Sequence, residues 1–224
     1  MNLPPSAVAA LCVAAAYLLG AIPFGLLIAR CKGVDIRRVG SGNVGATNVF
    51  RSVGKGPGLL TFALDVAKGW LPAWGSGRLI AGLWDGVSVL SPDAVSVACG
   101  IVAVVGHNWP IYLRFQGGKG IATSAGALLG FAPLATGIGL CVWVVVFTVT
   151  RYVSVGSIVA CLAVAFAGWW CYEGRLVPVT LTLLGAVGVW RHRTNVRRLL
   201  AGTEHRFGRK SDGKGEPADG GTGA

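Results

Sequence analysis

From Ala7 to Ala29 the chain carries no charged side chain, and a run of that length spans a bilayer, whose hydrocarbon core needs about 20 residues of helix. Comparable apolar runs follow at Leu59–Gly75, Ala94–Leu113, Tyr152–Cys171 and Val177–Trp190. Backbone in lipid must satisfy its own hydrogen bonds, so such runs specify helices that cross the membrane. Composition agrees: 13% of residues are charged, against about 25% in soluble domains. With 53% hydrophobic residues, a polar disordered chain is excluded outside the last twenty or so positions, as is a disulfide-knit secreted domain. The expected fold is all-α, a polytopic membrane helix bundle.

A cleaved signal peptide competes for the first run. It is disfavoured, because no basic segment precedes the run and Arg30, Lys32, Arg37 and Arg38 follow it. The run reads as an uncleaved helix with its amino terminus outside. Ile121–Thr150 is too long for one span and too short for two full ones. Ala132-Pro133 is the expected break, since the residue before proline is pushed away from helix. A short helix that enters from one face and turns back near Pro133 would be tolerated where it is buried in protein or lines a cavity. The count is then about seven spans, two of them short.

Orientation follows from charge. The loops at 30–56, 114–120 and around 151, with the tail from 191, hold 17 of the 20 basic residues. The opposite face, near 76–93 and 172–176, has Arg78 and Arg175 against Asp85, Asp93 and Glu173. Lys and Arg concentrate on the cytoplasmic side, so the carboxyl terminus is expected there. Residues 1–210 read as one membrane-embedded domain, and Gly-rich 211–224 as a disordered polar tail. The net charge of +11 would suggest nucleic acid in a soluble protein, but no nucleic-acid-binding module is present; an anionic small substrate or a lipid surface fits instead. Six cysteines without a CxxC pair, three histidines and scattered acids form no metal-ligand cluster.

Four polar, glycine-bearing segments interrupt the apolar pattern, and the topology puts all four on the cytoplasmic side. In GSGNVGATNVFR (40–51), Ser41, Asn43, Thr47 and Asn48 offer neutral hydrogen bonds, and Arg51 offers a planar fork suited to phosphate or carboxylate. The second, GHNWP followed by FQGGKG, ends in Gly117, Gly118, Lys119 and Gly120 just before an apolar helix. Free N–H groups, a helix amino terminus and a lysine make an anion site. It is not a Walker P-loop, which needs GxxxxGK[ST] after a strand. His107 reads equally as a base or as a fixed interhelical donor. In the third, RYVSVGS (151–157), Ser154 and Ser157 either cap a helix or serve the site. In the fourth, 191–204, His192 and Asn195 share a helix face with Arg198 one turn on. Asp65 and Lys68, three residues apart inside a span, form an ionisable pair that is a site candidate or a structural ion pair.

SGNVGATNVFR at 41–51, LDVAKG at 64–69, GHNWPIYLRFQGGKG at 106–120, RYVSVGS at 151–157 and HRTNVRRLLAGTE at 192–204 together resemble the bacterial acyl-phosphate:glycerol-3-phosphate acyltransferase family, the PlsY family. The resemblance implies a seven-helix enzyme of the inner membrane with its site facing the cytoplasm. The implied reaction moves a fatty acyl group from acyl phosphate to the sn-1 hydroxyl of glycerol 3-phosphate. Its products are 1-acyl-glycerol 3-phosphate (lysophosphatidic acid) and phosphate, the first step of phospholipid biosynthesis. By motif position, Ser41 and Arg51 would bind glycerol 3-phosphate and Gly117–Gly120 would form the phosphate-binding loop. Ser154, His192 and Asn195 match positions implicated in binding or activity, and Glu204 a structural one. No cofactor or metal is implied. Membrane lipid and the enzyme that makes acyl phosphate are the implied partners. Relatives often carry two serines where this chain has Val153-Ser154. No Ser-His-Asp order and no His-x4-Asp motif occurs, which points to direct transfer without an acyl-enzyme, the proton leaving to His107, His192 or a phosphate oxygen. The readings from other classes are a transporter of an organophosphate anion, for which neither an internal repeat nor a midplane site is evident, and a non-catalytic scaffold for anionic lipid.

Overall fold

Pro23 divides the first apolar run. The computed structural model describes residues 3–83 and 91–208, and there α1 (Pro5–Ala21) gives way to α2 (Phe24–Arg30) across Ile22, whose φ −59° and ψ 118° are not helical. Proline lacks an N–H and forces its predecessor out of the helical region. The expected single helix is therefore a broken one, although Pro5–Arg30 as a whole is long and apolar enough to cross.

The rest of the chain follows as α3 (Ala46–Ser52), α4 (Lys55–Ala81), α5 (Pro92–Asn108), a 3-10 turn at Ile111–Leu113, α6 (Ile121–Phe131), α7 (Pro133–Thr150), α8 (Val153–Cys171), α9 (Leu176–Arg191) and α10 (Arg193–Leu200). No strand occurs among the described residues. Pro92–Leu113, Pro133–Thr150 and Val153–Cys171 also have the length and apolarity to cross, while α6 and α9 are shorter apolar helices. The expected break falls at Ala132, with the short α6 before it and the full-length α7 after it; α9 is the other short apolar helix. α4 extends the expected Leu59–Gly75 at both ends. The far-side segment at 84–90 and the polar tail at 211–224 lie outside the described residues.

Bundle faces are inverted relative to a soluble protein. Large apolar side chains such as Trp170, Val149 and Leu183 point outward, where lipid is the solvent. The interior is built from small residues that let helices approach, the usual device where lipid removes the hydrophobic incentive to associate. Gly126 of α6 faces the Val66 carbonyl of α4 and Gly69 of α4 faces the Thr123 carbonyl of α6, with no room for a Cβ at either.

Two groups of helices result. α1, α4, α5 and α6 pack on one another, and α7, α8 and α9 form a second set, joined chiefly through α6. At 1.5 Å per residue α6 is about 16 Å long and α7 about 27 Å. Both meet at Ala132 and part there, α6 packing on α4 and α7 on α8. An opening remains between α4 and α7, bordered by Lys119 and Gly120 at the start of α6.

Candidate active site

A cavity of about 930 Å³ occupies this opening. All four polar segments reach it. Ser41, Asn43, Thr47, Asn48 and Arg51 line it from the first, Lys119 and Gly120 from the second, Ser154 from the third, and His192, Asn195, Arg198 and Glu204 from the fourth. Asp65 and His107 touch its deep end. Leu59 and Phe62 of α4 and Leu140, Trp143 and Phe147 of α7 make an apolar wall. Gly117, Gly118 and Lys68 do not line it.

The first segment is organised by Asn48, which is buried. Its amide donates to the Ile36, Val39 and Asn43 carbonyls, and its Oδ1 accepts from the Ser41 N–H at 3.0 Å and from Arg51 at 3.2 Å. Asn43 Oδ1 accepts the Gly45 N–H at 2.8 Å. Asn48 thus spends its amide on the turn and Asn43 its Oδ1, and both side chains border the cavity. Ser41 and Thr47 are exposed to the cavity, and Arg51 is half-buried there.

The glycine loop is clamped from behind. His107 lies directly beneath it: its carbonyl accepts the Gly118 N–H at 3.1 Å, and a Cβ on Gly118 would fall inside its imidazole. Arg191 Nη2 donates to the Gly117 carbonyl at 2.9 Å and also to the Gly118 carbonyl, while its guanidinium lies 5.7 Å from the Trp109 ring centre. Gly120 has φ +82°, a left-handed conformation that costs other residues roughly 1–2 kcal/mol, and sits over the buried Asn108 side chain. The loop thus presents the first turn of α6 to the cavity, with Lys119 beside it.

Lys119, Asn195 and Glu204 form one chain of hydrogen bonds. Lys119 Nζ donates to Asn195 Oδ1 at 2.6 Å, and Asn195 Nδ2 donates to Glu204 Oε1 at 2.6 Å. Ser154 Oγ donates to the same oxygen at 2.8 Å, and Arg198 Nε to Oε2 at 2.7 Å. Burial would raise the Glu204 carboxyl, but the donors from Asn195, Arg198 and Ser154 outweigh it and hold the group below its usual range. Burial lowers Lys119 to about 8, with Arg198, Arg51 and Arg191 pushing the same way against Glu204. His192 falls to about 4, through burial first and the Lys119 charge second, so its ring is neutral near pH 7. Its Nδ1 lies 2.8 Å from the Gly188 carbonyl. A carbonyl only accepts, so Nδ1 carries the proton and Nε2 is the free nitrogen.

Asp65 and Lys68 pair at 2.8 Å, both almost fully buried, and Lys68 Nζ donates at 2.7 Å to the Ile22 carbonyl at the α1–α2 break. His107 Nδ1 is 3.7 Å from Asp65. This cluster joins the broken helix to the underside of the glycine loop. Sequence reasoning missed Arg191, which resembles an ordinary basic anchor at a helix end, and Asn108. The contact from Arg191 to the loop spans 74 positions and leaves no local pattern.

The chain resembles known proteins over almost its whole length. The family described as glycerol-3-phosphate acyltransferase matches residues 10–202. A glycerol-3-phosphate acyltransferase of Rubrobacter xylanophilus is 44% identical over 202 residues, covering 89% of this chain and 95% of the relative. One from Aquifex aeolicus is 44% identical over 193 residues, covering 86% and 95%. Among solved structures, PlsY (YgiH), an integral membrane glycerol 3-phosphate acyltransferase in its glycerol 3-phosphate form, superposes with TM-score 0.80 at 41% identity, covering 89% of this chain and 96% of that one. Its lysophosphatidic acid form gives 0.78 at 40% identity, covering 89% and 95%.

Proposed function

The chain belongs to the glycerol-3-phosphate acyltransferase family of integral membrane proteins, and we propose that it transfers a fatty acyl group from acyl phosphate to the sn-1 hydroxyl of glycerol 3-phosphate, releasing lysophosphatidic acid and phosphate. The observation that carries this reading is the two-sided cavity, cationic and glycine-lined on one side and apolar on the other. It fits an amphiphilic donor and a small phosphorylated acceptor in the same space. The PlsY structures with glycerol 3-phosphate and with lysophosphatidic acid support an acceptor and a product of these kinds. The basic loop asymmetry supports a cavity that opens to the cytoplasm from a bacterial inner membrane.

Two phosphate groups call for two cationic subsites. Arg51, with Ser41 and Thr47 beside it, would hold glycerol 3-phosphate. Lys119 and the amino terminus of α6 would hold the phosphate of the donor, whose tail lies along Leu59, Phe62, Leu140 and Trp143. Acyl phosphate is a mixed anhydride with a good leaving group, so transfer needs little acid assistance. Holding the hydroxyl against the carbonyl carbon supplies much of the rate, and the N–H groups at the start of α6 stabilise the developing oxyanion. His192 Nε2 accepts the hydrogen bond of the attacking hydroxyl and aligns it. An imidazole lowered to about 4 is a weak base, so the proton passes on to a phosphate oxygen. Asn195 and Ser154 carry Glu204, which steadies Lys119 and Arg198. His107, under Gly118, serves best as a support for the loop. No acyl-enzyme is involved.

The test uses purified protein in lipid with acyl phosphate and radiolabelled glycerol 3-phosphate, without acyl-CoA or acyl carrier protein. Labelled lysophosphatidic acid with equal phosphate release is expected. Product formed only with acyl-CoA or acyl carrier protein would refute the donor assignment, and an acylated protein trapped in a single turnover would refute direct transfer.

A further inference from the structure

The family match ends at residue 202, yet the chain folds back over the cavity beyond it. Thr203, Glu204, His205 and Phe207 all line the cavity. The segment is pinned where the Phe207 N–H donates to the Arg151 carbonyl at 2.9 Å and where Arg206 lies 6.0 Å from the Tyr152 ring centre. The Phe207 ring centre is 6.1 Å from Phe50 on α3 and 5.6 Å from Phe147 on α7. Phe147 stacks on Trp143 at 4.9 Å. A series of rings therefore runs along the cavity from α3, which packs on α4, to α7. The acyl transfer described above gives Trp143 the donor's tail and leaves Phe50, Phe147 and Phe207 without a part.

We infer that Phe207 is a specificity-determining residue, closing the cavity over the acyl carbonyl so that the glycerol hydroxyl, and not water, is the nucleophile. The inference rests on the acyl transfer proposed above. An acyl phosphate is open to hydrolysis: water oxygen bonds to the carbonyl carbon, the carbon–oxygen bond to phosphate breaks with its electron pair leaving on phosphate, and the proton lost by water ends on that phosphate. Fatty acid and phosphate are the products. Excluding bulk water is one function of a closed site, and edge-on rings tile such a gap without presenting a hydrogen-bonding group. Glycerol 3-phosphate is held by its own phosphate contacts and does not depend on the roof.

The test compares the full chain with Phe207→Ala, Phe207→Leu and Phe50→Leu in lipid nanodiscs, supplied with palmitoyl phosphate and saturating glycerol 3-phosphate. Phosphate and lysophosphatidic acid are quantified and spontaneous hydrolysis is subtracted. Unfolded protein makes neither product, so the ratio of phosphate to lysophosphatidic acid does not depend on the fraction folded. The ratio is expected near one for the unsubstituted chain, higher by roughly fivefold or more in Phe207→Ala, and intermediate in both leucine variants. Unchanged ratios in all three variants would overturn the inference while leaving acyl transfer intact. No lysophosphatidic acid from the unsubstituted chain would overturn the acyl-transfer reading itself, and the inference with it.

Discussion

Lys119 offers the sharpest test of the site's electrostatics. Its ammonium is lowered to about 8 by burial and by three guanidiniums, whereas an ordinary lysine stays charged to 10.5. A lowered pKa means that the charge is present below pH 8 and is lost as pH rises through it. Lys119 is then about nine-tenths charged at pH 7, half charged at pH 8 and about one-tenth charged at pH 9. If that charge holds a substrate phosphate, kcat/KM, which reports the free enzyme, should fall to about a tenth of its plateau by pH 9. The substrate phosphates do not confuse the profile, because their second ionisation lies near pH 6. The assay is kcat/KM from pH 6.5 to 9.5, with blank hydrolysis subtracted, for the unsubstituted chain and for Lys119→Arg. The guanidinium keeps its charge throughout, so the variant, whatever its absolute rate, should hold its pH 7 value to pH 9.5. A flat profile for the unsubstituted chain, or a parallel fall in the arginine variant, would refute the reasoning.

Replacing Glu204 by Gln removes the carboxylate that supports the Lys119 charge, so the descending limb of the same profile should move below pH 8. Gly118→Ala drives a methyl group into the His107 ring; overpacking of this kind costs about 1–3 kcal/mol, read as a lower melting temperature together with a raised KM for one phosphorylated substrate. Asp65→Ala strands a buried ammonium and should cost about 3–5 kcal/mol in detergent unfolding, whereas Asp65→Leu with Lys68→Met should recover most of it. Were the double variant as unstable as the single, the pair would not be the source of the loss.

Much of this architecture could be read from the chain because membrane helices are written in uninterrupted apolar length. The break at Pro133 and the convergence of the segments around Ser41, Lys119, Ser154 and His192 both followed from that pattern and from basic-residue counts. Other features left no such mark. Pro23 was passed over because an apolar run looks continuous whether or not its hydrogen bonds are, and α3 was hidden inside a glycine-rich loop. The backbone bonds of Asn43 and Asn48 left no mark either, because composition cannot say whether an amide is spent on its own backbone. The clamp of Arg191 on the glycine loop and the roof formed by Phe207 are long-range contacts, and each residue alone reads as membrane anchoring or as tail.

The hydrogen bond from Lys68 to the Ile22 carbonyl bears on how the protein enters its membrane. A lone charged residue at the centre of an inserting helix costs about 2.5–3.5 kcal/mol, and α4 carries Asp65 and Lys68 near its middle. The break at Pro23 leaves the Ile22 carbonyl with only the Phe24 N–H, at 3.1 Å, beside the Lys68 ammonium, and that carbonyl is synthesised before α4. The defect in the first helix is thus a docking point for the second, which would be retained in the bilayer as a partner of α1 and α2 more readily than by itself. Membrane integration of α4 should accordingly drop when it is expressed without residues 1–30, and equal integration of the two forms would show that the bond from Lys68 to Ile22 has no part in its assembly.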